Sequence, residues 1–506
     1  MEMISQNKYI LLILSIIIFG CSEDGDVKDT SVVTVGDSDY RSTYHFTPEN
    51  NWMNDPNGMV YYKGEYHLFF QYNPDDNVWG PMHWGHAVSE DLVNWEELPV
   101  ALYPDELGNI FSGSAVVDEN NTSGFKTGDE DVLVAIFTHQ NPDTNKQFQS
   151  LAFSNDKGRT WEKHEGNPVL VNEDKTDFRD PKVIWHADTQ QWVMVVAAGQ
   201  EILFYSSPNL KEWTYLQSFG KDLGAHGGVW ECPDLFTVQN ENGEEKWALL
   251  VSINPGGPNG GSGTQYFLGS FDGETFETTQ AETKWLDYGT DNYAGVTWSN
   301  EPNDRNLFIG WMSNWAYAEN VPTKAWRSAM TLPRTLQLSG NGDMLLSKPA
   351  EEVNSILASN NLEFNASSVY IEDNSILKSG TFQIKTTLDL SEENGAELVW
   401  GNETTGVSIS YDKTSSEFLI DRSDAGFDFN SLNNNKMIVP YVLPESNELE
   451  LEIWADKSSV EVFVNGGERV ITFLIFPNIP FNNLQIHSSD ETEFVRSLSI
   501  QPVTKN

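Results

Sequence analysis

Short runs of apolar and aromatic residues alternate with polar turn clusters along the chain from Tyr44 onward. Runs at 66–72, 132–137, 192–197 and 247–251 are flanked by Gly, Pro, Asn or Asp residues, a pattern typical of β-strands. Almost no segment before residue 340 keeps a helical period of apolar residues over several turns. The pattern therefore predicts an all-β protein.

A weak internal repeat runs through the first part of the chain. Segments 89–95, 154–161 and 207–213 each carry a Ser, a polar turn and a closing Trp, and segment 271–276 resembles a degenerate fourth copy. The closing Trp residues are separated by about 50 to 70 residues, which suits four strands per unit with long loops. Repeats on this scale predict the blades of a β-propeller.

The sequence pattern changes after Leu332-Pro333-Arg334: Trp becomes rare, and a cleaner alternation of apolar and polar residues appears. Segment 449–453 alternates in this way, and segment 460–464 runs into Asn465-Gly466, a strong hairpin signal. Alternation describes strands with one face in solvent, so this part of the chain is expected to form a β-sandwich. We expect the propeller to span 41–340 and the sandwich to span 350–506.

The first twenty residues carry the pattern of an export signal. Lys8 precedes an apolar run at 10–19, which is too short to span a bilayer comfortably, and Cys21 follows at once. This junction resembles a bacterial lipobox, which predicts lipidation of Cys21, an acidic tether at 21–40 and an outer-membrane lipoprotein at the surface or in the periplasm. The alternative is a plain cleaved signal peptide. Cys232 is the only other cysteine, so no disulfide is expected within the mature body.

Net charge and composition indicate which classes of partner the protein can bind. Asp and Glu outnumber Lys and Arg by 75 to 30, giving a formal net charge of −45, so a nucleic-acid partner is not expected. A neutral oligosaccharide meets no such repulsion, and 17 Trp, 17 Tyr and 27 Phe suit a sugar-binding cleft. No HExxH or Cys/His ligand pattern is present, so neither a metal nor another cofactor is expected. The sequence does not indicate an oligomeric state.

Three acids stand out because they lie among Trp, Pro and Gly residues, where a solvated surface carboxylate is less expected. Pro56 restricts Asp55 to an extended backbone, and Arg179 would favour the ionised form of Asp180. Glu231 lies between Trp, Cys and Pro, an apolar setting that suits a general acid. Cleavage of a glycosidic bond requires two carboxyl groups, one to protonate the leaving oxygen and one to attack or to activate water.

The same segments resemble motifs of glycoside hydrolase family 32. They are W-M-N-D-P-N-G at 52–58, R-D-P at 179–181 and E-C-P at 231–233, and the resemblance extends from about Tyr44 to the C-terminus. It implies a five-bladed β-propeller followed by a β-sandwich and a retaining mechanism. It further implies that Asp55 is the nucleophile, Glu231 the general acid/base and Asp180 a stabiliser of the transition state.

Further motifs of that family imply the residues that bind the sugar, which are Asn54, Gln71, Trp79, Phe111, Ser114, Arg179 and Trp315. The expected activity is release of fructose from the ends of fructans (levan, inulin or both), with sucrose as a further substrate. An endo-levanase, an invertase and a fructosyltransferase remain alternatives within the family. A non-catalytic glycan-binding lipoprotein is a fourth alternative, although its expected sign, a missing catalytic carboxylate, is not found.

Overall fold

The computed structural model describes residues 37–172, 174–358, 362–366, 368–429, 435–488 and 493–505. The predicted signal peptide, Cys21 and residues 21–36 of the predicted tether lie outside these ranges. Strands dominate the described residues, with short 3₁₀ helices at Asp37–Tyr40, Ala318–Asn320 and Glu351–Ile356. Within those ranges, no helix combines the length and the hydropathy needed to cross a bilayer.

Five antiparallel sheets follow one another along the first two thirds of the chain. Blade 1 contains β1 (Asn51–Tyr62), β2 (Glu65–Asn73), β3 (His83–Ser89) and β4 (Glu96–Leu102). Blade 2 contains β5 (Asn109–Asp118), β6 (Val132–Gln140), β7 (Gln147–Ser154), β8 (Glu162–Lys163) and β9 (Leu170–Val171). Blade 3 contains β10 (Phe178–His186), β11 (Gln191–Ala198), β12 (Ile202–Ser207) and β13 (Thr214–Phe219).

The last two blades have the same plan. Blade 4 contains β14 (Val229–Gln239), β15 (Glu245–Asn254), β16 (Gly263–Phe271), β17 (Phe276–Glu277) and β18 (Lys284–Trp285). Blade 5 begins with β19 (Tyr293–Thr297) and β20 (Asn306–Met312). The short strand β21 (Trp326–Arg327) follows in the chain but belongs to the sheet of blade 1. β22 (Ala329–Met330), β23 (Arg334–Leu338) and β24 (Leu345–Pro349) complete blade 5. Because β24 belongs to this sheet, blade 5 extends past residue 340, the predicted end of the propeller.

The first strand of each blade lies innermost. β1, β5, β10, β14 and β19 contact one another in that order, and β19 contacts β1 again, so the five strands form a closed ring. β21 pairs in parallel with β1 and ties the end of the ring to its start. The predicted β-propeller is therefore confirmed, with five blades around one axis.

The Ser-turn-Trp repeat marks the corner between the third and fourth strands of the first three blades. In each copy the indole nitrogen donates to the carbonyl three residues earlier, at 3.1 Å for Trp95, 3.0 Å for Trp161 and 2.9 Å for Trp213. The degenerate copy at 271–276 forms the equivalent corner of blade 4, between β16 and β17. The repeat marks the blades because, in each copy, the indole and its hydrogen bond close the hairpin between the third and fourth strands.

The rest of the chain forms two sheets and one short helix, α1 (Ser375–Ser379). The strands are β25 (Leu362–Ala366), β26 (Val369–Ile371), β27 (Phe382–Asp389), β28 (Gly395–Gly401), β29 (Gly406–Asp412), β30 (Glu417–Asp421), β31 (Lys436–Pro440), β32 (Glu448–Asp456), β33 (Ser459–Val464), β34 (Arg469–Leu474), β35 (Asn483–His487) and β36 (Val495–Pro502). One sheet has the order β25-β36-β27-β32-β33-β34, and the other has the order β26-β35-β28-β29-β30-β31. A shared apolar core, which includes Phe382, Trp400 and Phe473, confirms the predicted β-sandwich.

Buried ion pairs join the sandwich to the propeller. Arg334 of β23 contacts Asp287 at 2.9 Å and also pairs with Glu461 of β33. Both ring nitrogens of His45 hydrogen-bond to sandwich carboxylates, at 2.9 Å to Asp456 and 2.8 Å to Glu461. Burial by itself lowers the pKa of His45, but these two carboxylates outweigh it and raise the pKa to about 9.

Candidate active site

One cavity of about 360 Å³ lies at the end of the propeller where the inner strands begin. Every blade contributes to its wall, through the inner strand or through a loop. The lining residues are Asn54, Asp55, Gln71, Trp79, Phe111, Ser112, Gln140, Asn145, Gln147, Asp177, Arg179, Asp180, Val229, Glu231, Asn254 and Trp315. Four carboxyl groups, those of Asp55, Asp177, Asp180 and Glu231, therefore share one pocket, although three separate parts of the sequence supply them.

A β-bulge at the same level of each inner strand directs these side chains toward the axis. The pairing register shifts between Met53 and Pro56, Ile110 and Gly113, Arg179 and Lys182, Glu231 and Asp234, and Tyr293 and Val296. A bulge adds one unpaired residue and re-aims its neighbours. In three of the bulges one residue has a positive φ: 65° at Asp180, 44° at Cys232 and 54° at Ala294. The pocket is thus built by a local distortion repeated around the ring.

Asp55 is held by two donors. Ser112 Oγ donates to Oδ2 at 2.7 Å, and Asn54 Nδ2 donates to Oδ1 at 2.9 Å. Asn54 is itself fixed, because it accepts a hydrogen bond of 2.7 Å from the indole of Trp52. Burial and the nearby charge of Glu231 raise the pKa of Asp55, while the two donors lower it. Hydrogen bonds from Ser112 and Asn54 therefore fix the orientation of the Asp55 carboxylate in the pocket.

Glu231 receives donors on both oxygens. Arg179 donates to Oε1 from Nη2 at 2.9 Å and from Nε at 3.1 Å, and the hydroxyl of Tyr293 donates to Oε2. Burial and the charge of Glu231 raise the pKa of Tyr293 well above its ordinary value, so that hydroxyl keeps its proton. Tyr293 was not among the predicted site residues, because it starts β19 and carries no motif of its own.

Asp180 is buried, and burial has a larger effect on its pKa than the neighbouring Arg179 has. Its Oδ2 accepts from the Cys232 amide at 3.0 Å, but Arg179 Nε lies 3.9 Å away. Burial raises the pKa of Asp180 to about 7, and the opposing effect of Arg179 does not cancel it. Arg179 acts on Asp180 in the expected direction and favours its ionised form, but burial outweighs this effect. The short hydrogen bonds of the guanidinium are made to Glu231 and Asp177.

Cys232 is a buried thiol between two of the acids. Its Sγ lies 3.6 Å from Asp55 Oδ2 and 3.6 Å from Asp180 Oδ2. Burial raises the pKa of Cys232 well above its ordinary value, so the group is a neutral donor. This geometry agrees with the interpretation of Cys232 as a thiol that shapes the pocket.

The aromatic residues expected at the pocket lie at its wall. Trp315 stacks on Trp52 with ring centroids 5.9 Å apart, and Trp79, which is 43% exposed, packs edge-on against Phe111 at 6.1 Å. Gln71 also lines the cavity and donates to the side chain of Asn57 at 2.8 Å.

Ser114 lies outside the pocket. It is buried, donates to the Pro181 carbonyl at 2.9 Å and accepts from the Val183 amide at 3.0 Å. The bulge in β5 places Ser112 at the pocket instead, next to Phe111. The polar residues Gln140, Asn145, Gln147 and Asn254 also line the cavity, and the sequence offered no signal for them because they lie at the ends of strands and in a turn.

Two family profiles cover almost all of the described chain. Glycosyl hydrolases family 32 N-terminal domain matches residues 45–349, and Glycosyl hydrolases family 32 C terminal matches residues 345–502. A levanase of Bacillus subtilis is 48% identical over 98% of this chain and 74% of its own length. An extracellular exo-inulinase of Aspergillus niger is 39% identical over 87% of this chain and 90% of its own.

Solved structures agree with these matches. The exo-inulinase from Aspergillus awamori has a TM-score of 0.85 at 35% identity and covers 92% of this chain and 98% of its own. A β-fructofuranosidase from Schwanniomyces occidentalis, complexed with fructosyl-erythritol, has a TM-score of 0.84 at 34% identity over 94% of this chain and 100% of its own. The chain is therefore a glycoside hydrolase that belongs to family 32.

Proposed function

We propose that this enzyme is an exo-acting β-fructosidase that releases fructose from the chain ends of fructans (levan, inulin or both) and from sucrose. The observation that carries the proposal is the meeting of Asp55, Asp180 and Glu231, from three different blades, in one pocket. The similarity to a levanase, to exo-inulinases and to a β-fructofuranosidase supports fructosyl bonds as the target.

In the first step Asp55 is the nucleophile. Its carboxylate attacks the anomeric carbon of the terminal fructosyl unit as the bond from that carbon to the leaving oxygen breaks. Glu231 donates its proton to the leaving oxygen, so the rest of the chain departs as an alcohol and a fructosyl ester remains on Asp55. The donors on Asp55 from Ser112 and Asn54 support this role because they fix the attacking group before the substrate arrives.

In the second step Glu231, now ionised, takes a proton from water as the water attacks the same anomeric carbon. The ester bond breaks, Asp55 regains its carboxylate, and fructose leaves with its configuration retained. Positive charge develops on the sugar ring in both transition states, and an anionic Asp180 stabilises that charge. Arg179 and Tyr293 keep Glu231 aimed throughout, since each bonds to a different oxygen.

The size of the pocket favours cleavage at chain ends. A volume of about 360 Å³ lies near the lower end of the usual range for ligand pockets, and Trp79 and Trp315 stand on its wall. Such a pocket accepts the last residue of a chain, whereas an endo-acting enzyme requires an open cleft along the polymer.

Product analysis tests the substrate and the mode of attack. Purified protein is given levan, inulin and sucrose in parallel, and early products are separated by chain length. We expect fructose as the only small product from at least one of the two polymers. A ladder of oligosaccharides would contradict the exo mode, and no release from any of the three would contradict the whole proposal.

Two substitutions test the catalytic roles. Asp55→Asn removes the nucleophile and Glu231→Gln removes the acid, so each is expected to lower kcat by about 10³-fold or more. Thermal unfolding of each variant, compared with that of the wild type, establishes that the fold is intact. Near-normal turnover by either folded variant would refute its assigned role.

We also propose that the enzyme is extracellular and is held on the outer membrane by a lipid on Cys21, with 21–40 as a tether. The supporting features are the apolar run at 10–19, the cysteine that follows it, and the extracellular exo-inulinases among the relatives. Cys21→Ser, expressed in a Gram-negative host, is expected to move the enzyme out of the membrane fraction. Unchanged membrane association would contradict the anchor.

A further inference from the structure

Two segments next to the strands of blade 5 support the pocket, and both contact the sandwich. The first segment, 287–293, ends at Tyr293, which donates to Glu231. The second segment, 313–317, carries Trp315 on the pocket wall. Neither segment is a strand along most of its length, so their positions depend on what they contact.

Arg422, just after β30 of the sandwich, contacts both segments. Its side chain is completely buried. Nη1 donates to Asp291 Oδ2 at 3.0 Å, and Nη2 donates to the hydroxyl of Tyr317 at 3.0 Å and to Thr290 Oγ1 at 3.0 Å. The guanidinium also lies 3.5 Å from the centre of the Phe429 ring. One side chain of the sandwich therefore holds two separate loops of the propeller.

The contacts continue from Arg422 to the pocket by short routes. Tyr317 lies two residues after Trp315, and its hydroxyl donates to Asp291 Oδ1 at 2.7 Å. Asn314, the residue before Trp315, donates to the Thr290 carbonyl at 2.7 Å, so the two segments are tied to each other as well. A displacement of Tyr317 would thus move the ring that walls the pocket.

The first segment packs closely against β34. The Asp291 amide donates to the Thr472 carbonyl at 3.1 Å, and the Leu474 amide donates to Asp291 Oδ2 at 3.0 Å. A Cβ atom at Gly289 would lie 2.0 Å from the Thr472 carbonyl oxygen, a distance that only glycine avoids. The sandwich therefore sets the position of this segment at several points.

We propose that Arg422 is a positioning residue for the active site, which holds Tyr317 and Asp291 so that Trp315 closes the wall of the sugar pocket. The inference rests on the proposed β-fructosidase activity and assigns the sandwich a part in substrate binding without direct contact with the substrate. A guanidinium suits the task because its planar fork bonds to two partners in fixed directions, which the single ammonium of lysine does not match.

The test uses the full-length enzyme and whichever of levan, inulin or sucrose the wild type cleaves fastest. Arg422→Lys keeps the positive charge but loses the planar guanidinium. Tyr317→Phe keeps the aromatic ring and loses only the hydroxyl that joins Arg422 to the Trp315 segment. Each variant is expected to raise KM by about fivefold, while kcat changes less than about twofold. If Arg422→Lys does not fold, Tyr317→Phe carries the test.

A double-mutant cycle with Trp315→Ala separates positioning from general support. If Arg422 acts through Trp315, then adding Arg422→Lys or Tyr317→Phe to Trp315→Ala changes KM by less than about twofold. The matched control is His45→Gln, which breaks a different buried contact between propeller and sandwich and is expected to lower the melting temperature without changing KM.

The KM values and melting temperatures of these variants either support or overturn the proposed role of Arg422. A rise in KM that disappears in the Trp315→Ala background supports the proposal. A lower melting temperature with unchanged KM, or an equal rise in KM in both backgrounds, overturns it. Release of fructose by the wild type establishes the proposed activity independently, so either of these results counts against the role of Arg422 alone.

Discussion

At the scale of single residues, the pocket places acids where burial opposes their charge. Burial and the other acids of the pocket raise the pKa of both Asp55 and Asp180, and the latter rises to about 7. Such groups cost stability at neutral pH, and proteins accept this cost where a function requires it. The effect can be measured because it depends on pH in a definite direction.

We predict that Asp180→Asn stabilises the fold above pH 7. The carboxyl has a pKa of about 3.9 in the unfolded chain, so between about pH 4 and pH 7 the unfolded chain ionises first and the folded state loses stability. The loss is complete above pH 7 and is at most about 4 kcal/mol. Urea unfolding of variant and wild type at pH 4.5 and pH 8 measures it. An equal difference at both pH values would contradict the raised pKa.

Tyr293 offers a second prediction at this scale. Tyr293→Phe removes one of the donors on Glu231 and lets that carboxyl rotate, so kcat is expected to fall about tenfold with little change in KM. Tyr62→Phe is the matched control, since the Tyr62 hydroxyl also bonds to a carboxylate, Glu130 at 3.1 Å, and neither residue lines the pocket. A similar loss of kcat in both variants would show that Tyr293 has no special role.

At the scale of elements, the sequence predicted strands and blades well but not the bulges. The corner Trp residues recur because each blade needs the same hairpin, so three copies and a degenerate fourth were visible in the chain. A bulge adds one residue to a strand and leaves the apolar pattern almost unchanged, which hides it from periodicity. This explains why the resemblance directed attention to Ser114, whereas the bulge in β5 places Ser112 beside Asp55.

The bulge in β5 can be tested through Gly113. A Cβ atom there would lie 2.1 Å from the carbonyl oxygen of Ile136, so Gly113→Ala must push β5 away from β6 and move Ser112 off Asp55. We expect a loss of about 1–3 kcal/mol of stability and at least a tenfold fall in kcat/KM. Gly340→Ala, where no atom lies within 4 Å of the added carbon, is expected to change neither quantity. Unaltered kcat/KM in Gly113→Ala would show that the bulge does not position Ser112.

At the scale of the whole molecule, charged residues from both halves of the chain meet in the buried contact between propeller and sandwich. Glu461 alone accepts from Arg334, from His45 and from the Leu332 amide. The sequence could not predict this cluster, because its members lie more than 100 residues apart and belong to no motif. Moving the two domains apart would leave these buried charges without partners, which is strongly destabilising. The contact therefore holds the propeller and the sandwich in one relative position.

His45 makes this contact sensitive to alkaline pH. A ring with carboxylates on both nitrogens must carry two protons, and its pKa of about 9 lies above the ordinary value of about 6.5. The stability that His45 contributes is therefore fully present below pH 6.5 and is lost as the pH rises through 9, by about 3 kcal/mol in total. Melting temperatures at pH 6, 8 and 10 should fall steeply for the wild type. His45→Gln should start lower and fall less, because the neutral amide has no proton to lose. Parallel curves for the two proteins would mean that His45 is not the group that titrates.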